Sequence, residues 1–448
     1  MKQITIDIET ASDENIKDCG VYRYAESECF DLLLVSYAVD NGPVATCDIA
    51  NGETLPDDVR NALTDKTVIK KAFHVNFERI CLSVYLRRKY PEMLDFEDST
   101  GSYLDPVSWQ CDMIHCRYLG MLSSLDDMGR LLRLKEKKMA EGKELIRFFC
   151  TLHQEADGSI LFHDKSDAPK KWEKFKAYNR RDVEVELKIQ RYLSEFPVPE
   201  FVWEEFYIDQ EINDRGILVD TSFAKKAVEL DGQVKKALLP KLKELTGLDN
   251  PNSPVQMKEW LMCRGIETDT LDKKFMQKIS GSAPEEVQEV LRLYQQLSRS
   301  SVQKYTTMLR VVCADGRARG MFSFYGASRT GRFAGRLIQL QNLPQNHLDD
   351  LAELKEQIRT GEFDTIKENY DDVPDVLSQL IRTAFIPPEG KKYVVADFSA
   401  IEARVLAWLA DEKWRMQAFA NSEDIYCASA SKMFGVPVEK NGTNGHLR

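Results

Sequence analysis

Isoleucines at positions 4, 6 and 8 alternate with Thr5, Asp7 and Glu9 in MKQITIDIET, the two-residue period of a strand with one buried face. The apolar runs FDLLLVSYAV (30–39) and TVIKKAF (67–73) predict two more strands, and helical periodicity follows at 76–88, 123–134 and 173–193. Strands mixed with helices imply an α/β domain. The proline-spaced FPVPEF at 196–201 marks a boundary. Beyond it, polar-apolar stretches at 203–214, 221–246, 254–263 and 283–313 predict a mostly helical region. From about residue 316 the texture changes to the Gly-rich GRARGMFSFYGASRTGRFAGR and then to an acidic, helical or irregular insert over 348–382. The stretch VVADFSAIEARVLAWL (394–409) closes the pattern. It predicts a buried strand over 392–397 ending on Asp397, and a helix over 401–410. Ser399 and Glu402 have the form of a capping box, with Ser399 at the N-cap and Glu402 at N3. There is no internal repeat and no low-complexity tract.

A chain of 448 residues, 43% hydrophobic and 30% charged, can fill the cores of two to four ordinary domains. The N-terminus has no basic segment followed by an apolar one, and no window approaches the length of a membrane span, so neither export nor membrane insertion is expected. Ten cysteines are scattered without a C-x-x-C pair, which indicates neither a zinc site nor a disulfide framework and suits a reducing cytosol. The net charge of −11 argues against non-specific coating of nucleic acid. Basic residues crowd at 130–147 (Arg130, Arg133, Lys135, Lys137, Lys138, Lys143, Arg147) and at 165–181, and acids at 349–375. Solvated helix faces are the ordinary reading of such runs.

Alternation puts Asp7 and Glu9 on one face of their strand, roughly 7 Å apart. Two divalent cations would relieve their repulsion and supply the water nucleophile and leaving-group clamp of phosphodiester hydrolysis. An exposed sheet edge carrying ordinary acids is the alternative. Tyr178 and Asp182, four apart in YNRRD, share a helix face. The phenol could hold a metal-bound water beside the carboxylate, or both could simply lie on a surface helix.

In this order the residues resemble the DnaQ-like 3′→5′ exonucleases of the ribonuclease H-like fold, whose first motif is D-x-E and whose third is Y-x-x-x-D. The second motif, an Asn followed by an aromatic and an acid, is met by AFHVNFER (72–79), with Glu78 in place of Asp and His74 in place of Asn. Glu supplies the same oxygen type on a longer arm. WQCDMIHCRYLGMLSSLDDMGRLLRL and KELIRFFC are similar to the corresponding stretches of phage and bacterial proofreading domains. The resemblance implies a site of Asp7, Glu9, Glu78, Tyr178 and Asp182, with Asp7, Glu9 and Asp182 as ligands of two Mg²⁺ or Mn²⁺ ions.

In SRTGRFAGRLIQLQNLP (328–344), Arg329, Arg332 and Arg336 alternate with glycines and the amides of Gln339, Gln341 and Asn342. Glycine lets backbone come close to another molecule, Arg binds phosphate or base edges, and amides read minor-groove acceptors. A Gly-rich turn with solvated arginines has the same composition. Asp397 stands at the carboxyl end of its predicted strand, where ligand sites sit in α/β folds.

Here the chain resembles family A DNA polymerases of the bacterial polymerase I and phage type. Their palm motif D-Y-S-Q-I-E-x-R is matched by Asp397-Phe398-Ser399-Ala400-Ile401-Glu402-Ala403-Arg404, and their T-G-R, eight residues, Q-N-x-P by Thr330 to Pro344. DQEINDRGILVD (209–220) looks like their entry to the thumb. The resemblance implies an α/β ribonuclease H-like exonuclease domain (1–196), a mostly helical thumb (197–315) and a partial α+β palm with the start of the fingers (316–448). It implies that Asp397 binds two Mg²⁺ ions, with the backbone of Phe398 beside it, and that Glu402 closes the sugar pocket. Arg332 would touch the primer end, and Gln341 with Asn342 the nearby duplex. Primer-template, single-stranded DNA and dNTPs are the implied partners, in the cytoplasm of a bacterium and from a phage or prophage. The palm's second carboxylate comes from a downstream hairpin, whereas this chain stops at Arg448. Exonuclease activity is therefore expected and primer extension by these residues alone is not. Two alternatives are a DNA-holding subunit completed by a separate C-terminal polypeptide and a stand-alone exonuclease.

Overall fold

Strand β1 (Gln3–Ala11) is the middle strand of a five-stranded mixed sheet. The computed structural model describes residues 1–94, 103–135, 139, 141–154, 158–279, 282–327 and 330–448, and only the backbone of Lys273 and Gln277. Arg329, Lys137 and Lys138 lie outside the described residues. On one side β1 pairs antiparallel with β2 (Asp31–Val39), and β2 with β3 (Val44–Asp48). On the other it runs parallel to β4 (Ile69–Ala72), and β4 to β5 (Trp109–Cys111). Ile4, Ile6 and Ile8 point into a core shared with α1 (Ile16–Glu26), α2 (Asp57–Thr64) and α3 (Val75–Lys89). The alternation expected over 1–10 is what separates this core from the opposite face of the sheet.

After β5 come α4 (Asp112–Tyr118), α5 (Leu125–Leu131) and α6 (Gly142–Phe149). The two-residue strands β6 (His153–Gln154) and β7 (Ile160–Leu161) form a hairpin. Helix α7 (Pro169–Leu193) then lies against β1, β2 and β3 on the face away from the isoleucines. Pro169 suits its first turn, where the missing N–H has no partner to lose. The stretch 196–201 joins α7 to α8 (Glu200–Arg215), and Val198, Val202, Trp203 and Phe206 pack into the core of the isoleucines.

Helix α9 (Thr221–Thr246) has the predicted bounds. With α10 (Pro254–Met262), α11 (Lys273–Ile279) and α12 (Glu285–Leu297) it forms a separate small core around Leu242, Met257, Leu261 and Val290. The helix expected over 283–313 is two: α12 ends before the polar Ser298-Arg299-Ser300-Ser301, and α13 (Gln303–Val311) follows. Arg299 is held there by Asp372 at 2.9 Å and Asp375 at 2.5 Å. Short strands β8 (Ile217–Leu218) with β9 (Arg317–Ala318), and β10 (Phe322–Ser323) with β11 (Ala334–Gly335), brace the Gly-rich segment. The acidic insert is helical, as α14 (Leu351–Thr360), α15 (Phe363–Asn369) and α16 (Val373–Gln379). Its Leu354, Ile358, Ile366 and Leu377 pack with Phe223 and Tyr305 in another core.

The chain divides into two compact units, Met1–Ile386 and Pro387–Arg448. The second holds α17 (Ile401–Leu409), α18 (Lys413–Ala420) and α19 (Ile425–Phe434). The buried strand expected over 392–397 is not there: the segment has no ladder partner, and Val394 and Val395 are 87% and 89% exposed. An apolar run becomes a strand only where another strand takes its hydrogen bonds, and the described residues of this unit contain none. The capping box fails as well. Ala400, at φ +53°, is the residue that starts α17, with no side-chain cap, and Glu402 moves to the second helical position. Ser399 instead accepts a hydrogen bond on its carbonyl from Arg404 Nε at 2.8 Å. No helix among the described residues is long and apolar enough to cross a membrane.

Candidate active sites

Because β1 is central, its second face meets α7 rather than water, which disposes of the exposed-edge alternative for Asp7 and Glu9. Thr5 donates to Gln190 Oε1 at 3.1 Å, and Asp7 Oδ2 accepts from Asn179 Nδ2 at 2.6 Å. The Tyr178 phenol is pushed up by burial first, and then by the charges of Glu9, Asp182 and Asp7. It also hydrogen-bonds Asp182. Thus β1 and α7 bring together four of the five residues named from sequence, with Tyr178 and Asp182 almost fully buried.

Glu78 comes from the first turn of α3 and is 4% exposed. Burial first, and Asp7's charge second, raise its carboxyl well above the usual carboxylate range. Its Oε2 is buried with no hydrogen-bond partner among the described residues. Such an oxygen carries a desolvation cost that a proton or a cation would relieve. Among the described residues no group of three His, Cys, Asp or Glu side chains is arranged to hold a metal ion as it stands. The donor set is nonetheless all oxygen, which fits a hard divalent cation. The upstream His74 is the N-cap of α3, and burial first, then Arg336, lowers its imidazole to about 4.

Sequence reasoning missed the rest of the polar stripe. Tyr178, Asp182, Glu186 and Gln190 recur every four residues on the buried face of α7, and Asn179 beside them is fully buried. Gln190 Nε2 donates to Asp112 Oδ2 at 2.7 Å and to Glu186 Oε1 at 3.2 Å. Glu186 is raised well above its ordinary range by burial first, then by Asp112. The four-residue spacing was the available signal. A cleft of about 500 Å³ opens where the stripe ends, lined by Lys71, Asp112, His115, Gln190 and Trp203. It lies at the Asp112 end of the stripe, not at Asp7 and Glu9.

The residues named for polymerisation are described unit by unit. On the first, Arg332 is exposed, and its carbonyl accepts from Ala327 N at 3.0 Å. Gln341 lies in a short helical turn, Leu340–Asn342, and Asn342 Nδ2 donates to Gln339 Oε1 at 3.2 Å. Lys304 Nζ on Ile338 O at 2.6 Å, and Arg382 on the carbonyls of Leu343 and Pro344, pin this segment. On the second unit Asp397 and Phe398 are exposed, Phe398 by 80%, and Glu402 lies in the first turn of α17.

Comparison with known proteins identifies the family. Residues 222–445 match the family model described as DNA polymerase family A. A DNA polymerase of Bacillus phage SP02 is 44% identical over 451 residues, covering all of this chain and 67% of the relative. DNA polymerase I of Borreliella burgdorferi is 27% identical over 230 residues, half of this chain and 22% of that protein. In fold, the chain is similar to the POL domain of Pol1 from M. smegmatis, solved in complex with DNA primer-template and dNTP. The TM-score is 0.56 at 18% identity, covering 97% of this chain and 63% of that one. With a family model spanning half its length and a phage relative matched along all of it, this chain belongs to DNA polymerase family A.

Proposed function

We propose that the chain is a DNA-directed DNA polymerase chain of phage type whose N-terminal part, residues 1–196, is a 3′→5′ proofreading exonuclease. The carrying observation is the packing of α7 on β1, which buries Tyr178, Asp182 and Glu9 and bonds Asn179 Nδ2 to Asp7 Oδ2 at 2.6 Å. The strand order β3-β2-β1-β4-β5, with two antiparallel and two parallel neighbours, supports the ribonuclease H-like reading of this part. Asp7, Glu9, Glu78 and Asp182 would hold two Mg²⁺ or Mn²⁺ ions. When bound, the ions supply water activation and leaving-group stabilisation. Tyr178 orients the attacking water, and Asn179 holds Asp7 by its hydrogen bond. Digestion of a 5′-labelled single strand tests this: a ladder shortening from the 3′ end, abolished by EDTA and by a 3′ block, is expected. Cleavage indifferent to the 3′ block would contradict it.

Residues 197–315 act in this reading as the thumb and 316–448 as part of the palm with the start of the fingers. Asp397, Phe398 and Glu402 meet the dNTP, and Arg332, Gln341 and Asn342 hold primer-template. A second reading, that polymerisation requires a further polypeptide, is favoured by the exposure of Val394, Val395, Trp408 and Leu409. Exposed apolar groups concentrated in one short segment mark an interaction surface. Mixing the chain with candidate partner polypeptides tests the second reading: a stable complex that extends a primer-template with Mg²⁺ and four dNTPs supports it, and extension by these 448 residues alone, abolished by Asp397→Ala, rules it out.

A further inference from the structure

Helix α6 contains KELIRF, the start of a stretch the sequence set apart without giving it a task. Its inner face is Gly142, Leu145 and Phe149, all buried, and Lys143, Glu144 and Arg147 face outward. Gly142 lies against the ring of Tyr178. A Cβ built there would stand 2.9 Å from Cδ2 and from Cζ, and closer still to Cε2. Carbon atoms normally sit about 3.5–4.0 Å apart, so only a residue without a side chain lets α6 come this close. The φ of Gly142 is not in the left-handed region, so the close approach and not backbone freedom is what requires glycine.

The other boundaries of the ring are aromatic. Phe175, one turn earlier on α7, stacks parallel to Tyr178 with planes 4° apart and centroids at 6.4 Å. Phe149 of α6 stacks in turn on Phe175 at 5.2 Å. With one edge against backbone, the phenol cannot swing toward α6, and it stays on the buried face of α7 that carries Asp182 one turn on.

We infer that Gly142 is a positioning residue for hydrolysis: α6 is the wall that sets where the Tyr178 hydroxyl, and the water it orients, can be. The inference rests on the exonuclease reading. A methyl group at 142 must displace the ring by several tenths of an ångström or more, and sub-ångström misplacement of an orienting group costs turnover rather than binding.

The test is a double-mutant cycle on single-strand digestion in Mn²⁺. Gly142→Ala is expected to lower kcat by roughly ten- to hundred-fold while the KM for the oligonucleotide and the Mn²⁺ dependence stay within roughly two-fold. In a Tyr178→Phe background, where no hydroxyl remains to misplace, the same change should lower kcat by less than two-fold. Equal kcat losses in both backgrounds, or a loss confined to KM, would overturn the inference. Leu145→Ala, which loosens the same wall without a clash, is the second variant should Gly142→Ala not fold. Its kcat loss must likewise vanish in Tyr178→Phe. Failure of the underlying reading is distinguishable, because the unsubstituted chain would then not digest the strand at all.

Discussion

Arg79 and Asp214 face each other through two parallel hydrogen bonds, Nη2 to Oδ1 at 2.7 Å and Nη1 to Oδ2 at 2.8 Å, with both side chains sealed from solvent. Arg79 follows Glu78 on α3, and Asp214 lies near the end of α8. The pair therefore ties the helix that carries Glu78 to the segment DQEINDRG, 209–216. The Tyr22 hydroxyl adds a bond to Asp214 at 2.6 Å, and Arg79 also donates to Leu104 O at 2.7 Å.

Asp214→Ala leaves the Arg79 guanidinium buried without a counter-charge, a change that costs about 3–5 kcal/mol. The urea midpoint of the full chain should fall accordingly for the transition that includes α3. A loss below about 1 kcal/mol would mean that Arg79 finds another partner.

Asp209, on the same helix and 2% exposed, is raised by burial to about 6, against the pull of hydrogen bonds from Gln210 and Asn213. A carboxyl whose folded pKa lies above its unfolded one stabilises only while protonated, so its contribution is lost as pH rises through about 6. Asp209→Asn should therefore stabilise the chain at pH 8, by up to about 3 kcal/mol, and change little at pH 4. Thermal melts at the two pH values check the sign. Destabilisation at pH 8 would contradict it.

Arg332→Ala should weaken primer-template binding and reduce the slope of log K against log salt by about one unit, the signature of one lost phosphate contact. An unchanged slope with weaker binding would place Arg332 on a base or sugar instead.

The legible parts of the molecule were those in which periodicity reports burial directly. The alternation at Ile4, Ile6 and Ile8 gave β1 to within two residues at its N-terminus and one at its C-terminus, and the apolar spacing of 221–246 gave α9 to the residue. Strands β3 and β5 carry too few residues for a period to show, and they owe their existence to neighbours that sequence does not place. Polar residues on α7 were read as a motif of two because acids on a helix usually face water. Glu186, Gln190 and Asn179 face β1 or Asp112 instead, a consequence of the sheet and not of the helix. Residues 394 and 395 failed for the reverse reason: apolar side chains say that something covers them, and not what.

The claim that Asp7, Glu9, Glu78, Tyr178 and Asp182 form one metal-dependent exonuclease site is tested most directly by the single-turnover rate of 3′-terminal nucleotide release from single-stranded DNA in saturating Mn²⁺, comparing the unsubstituted chain with Asp7→Ala. Asp7 faces α7, where Asn179 bonds it, and removing it should lower the rate by at least about three orders of magnitude while binding of the strand persists. Release at an unchanged rate in Asp7→Ala would contradict the account.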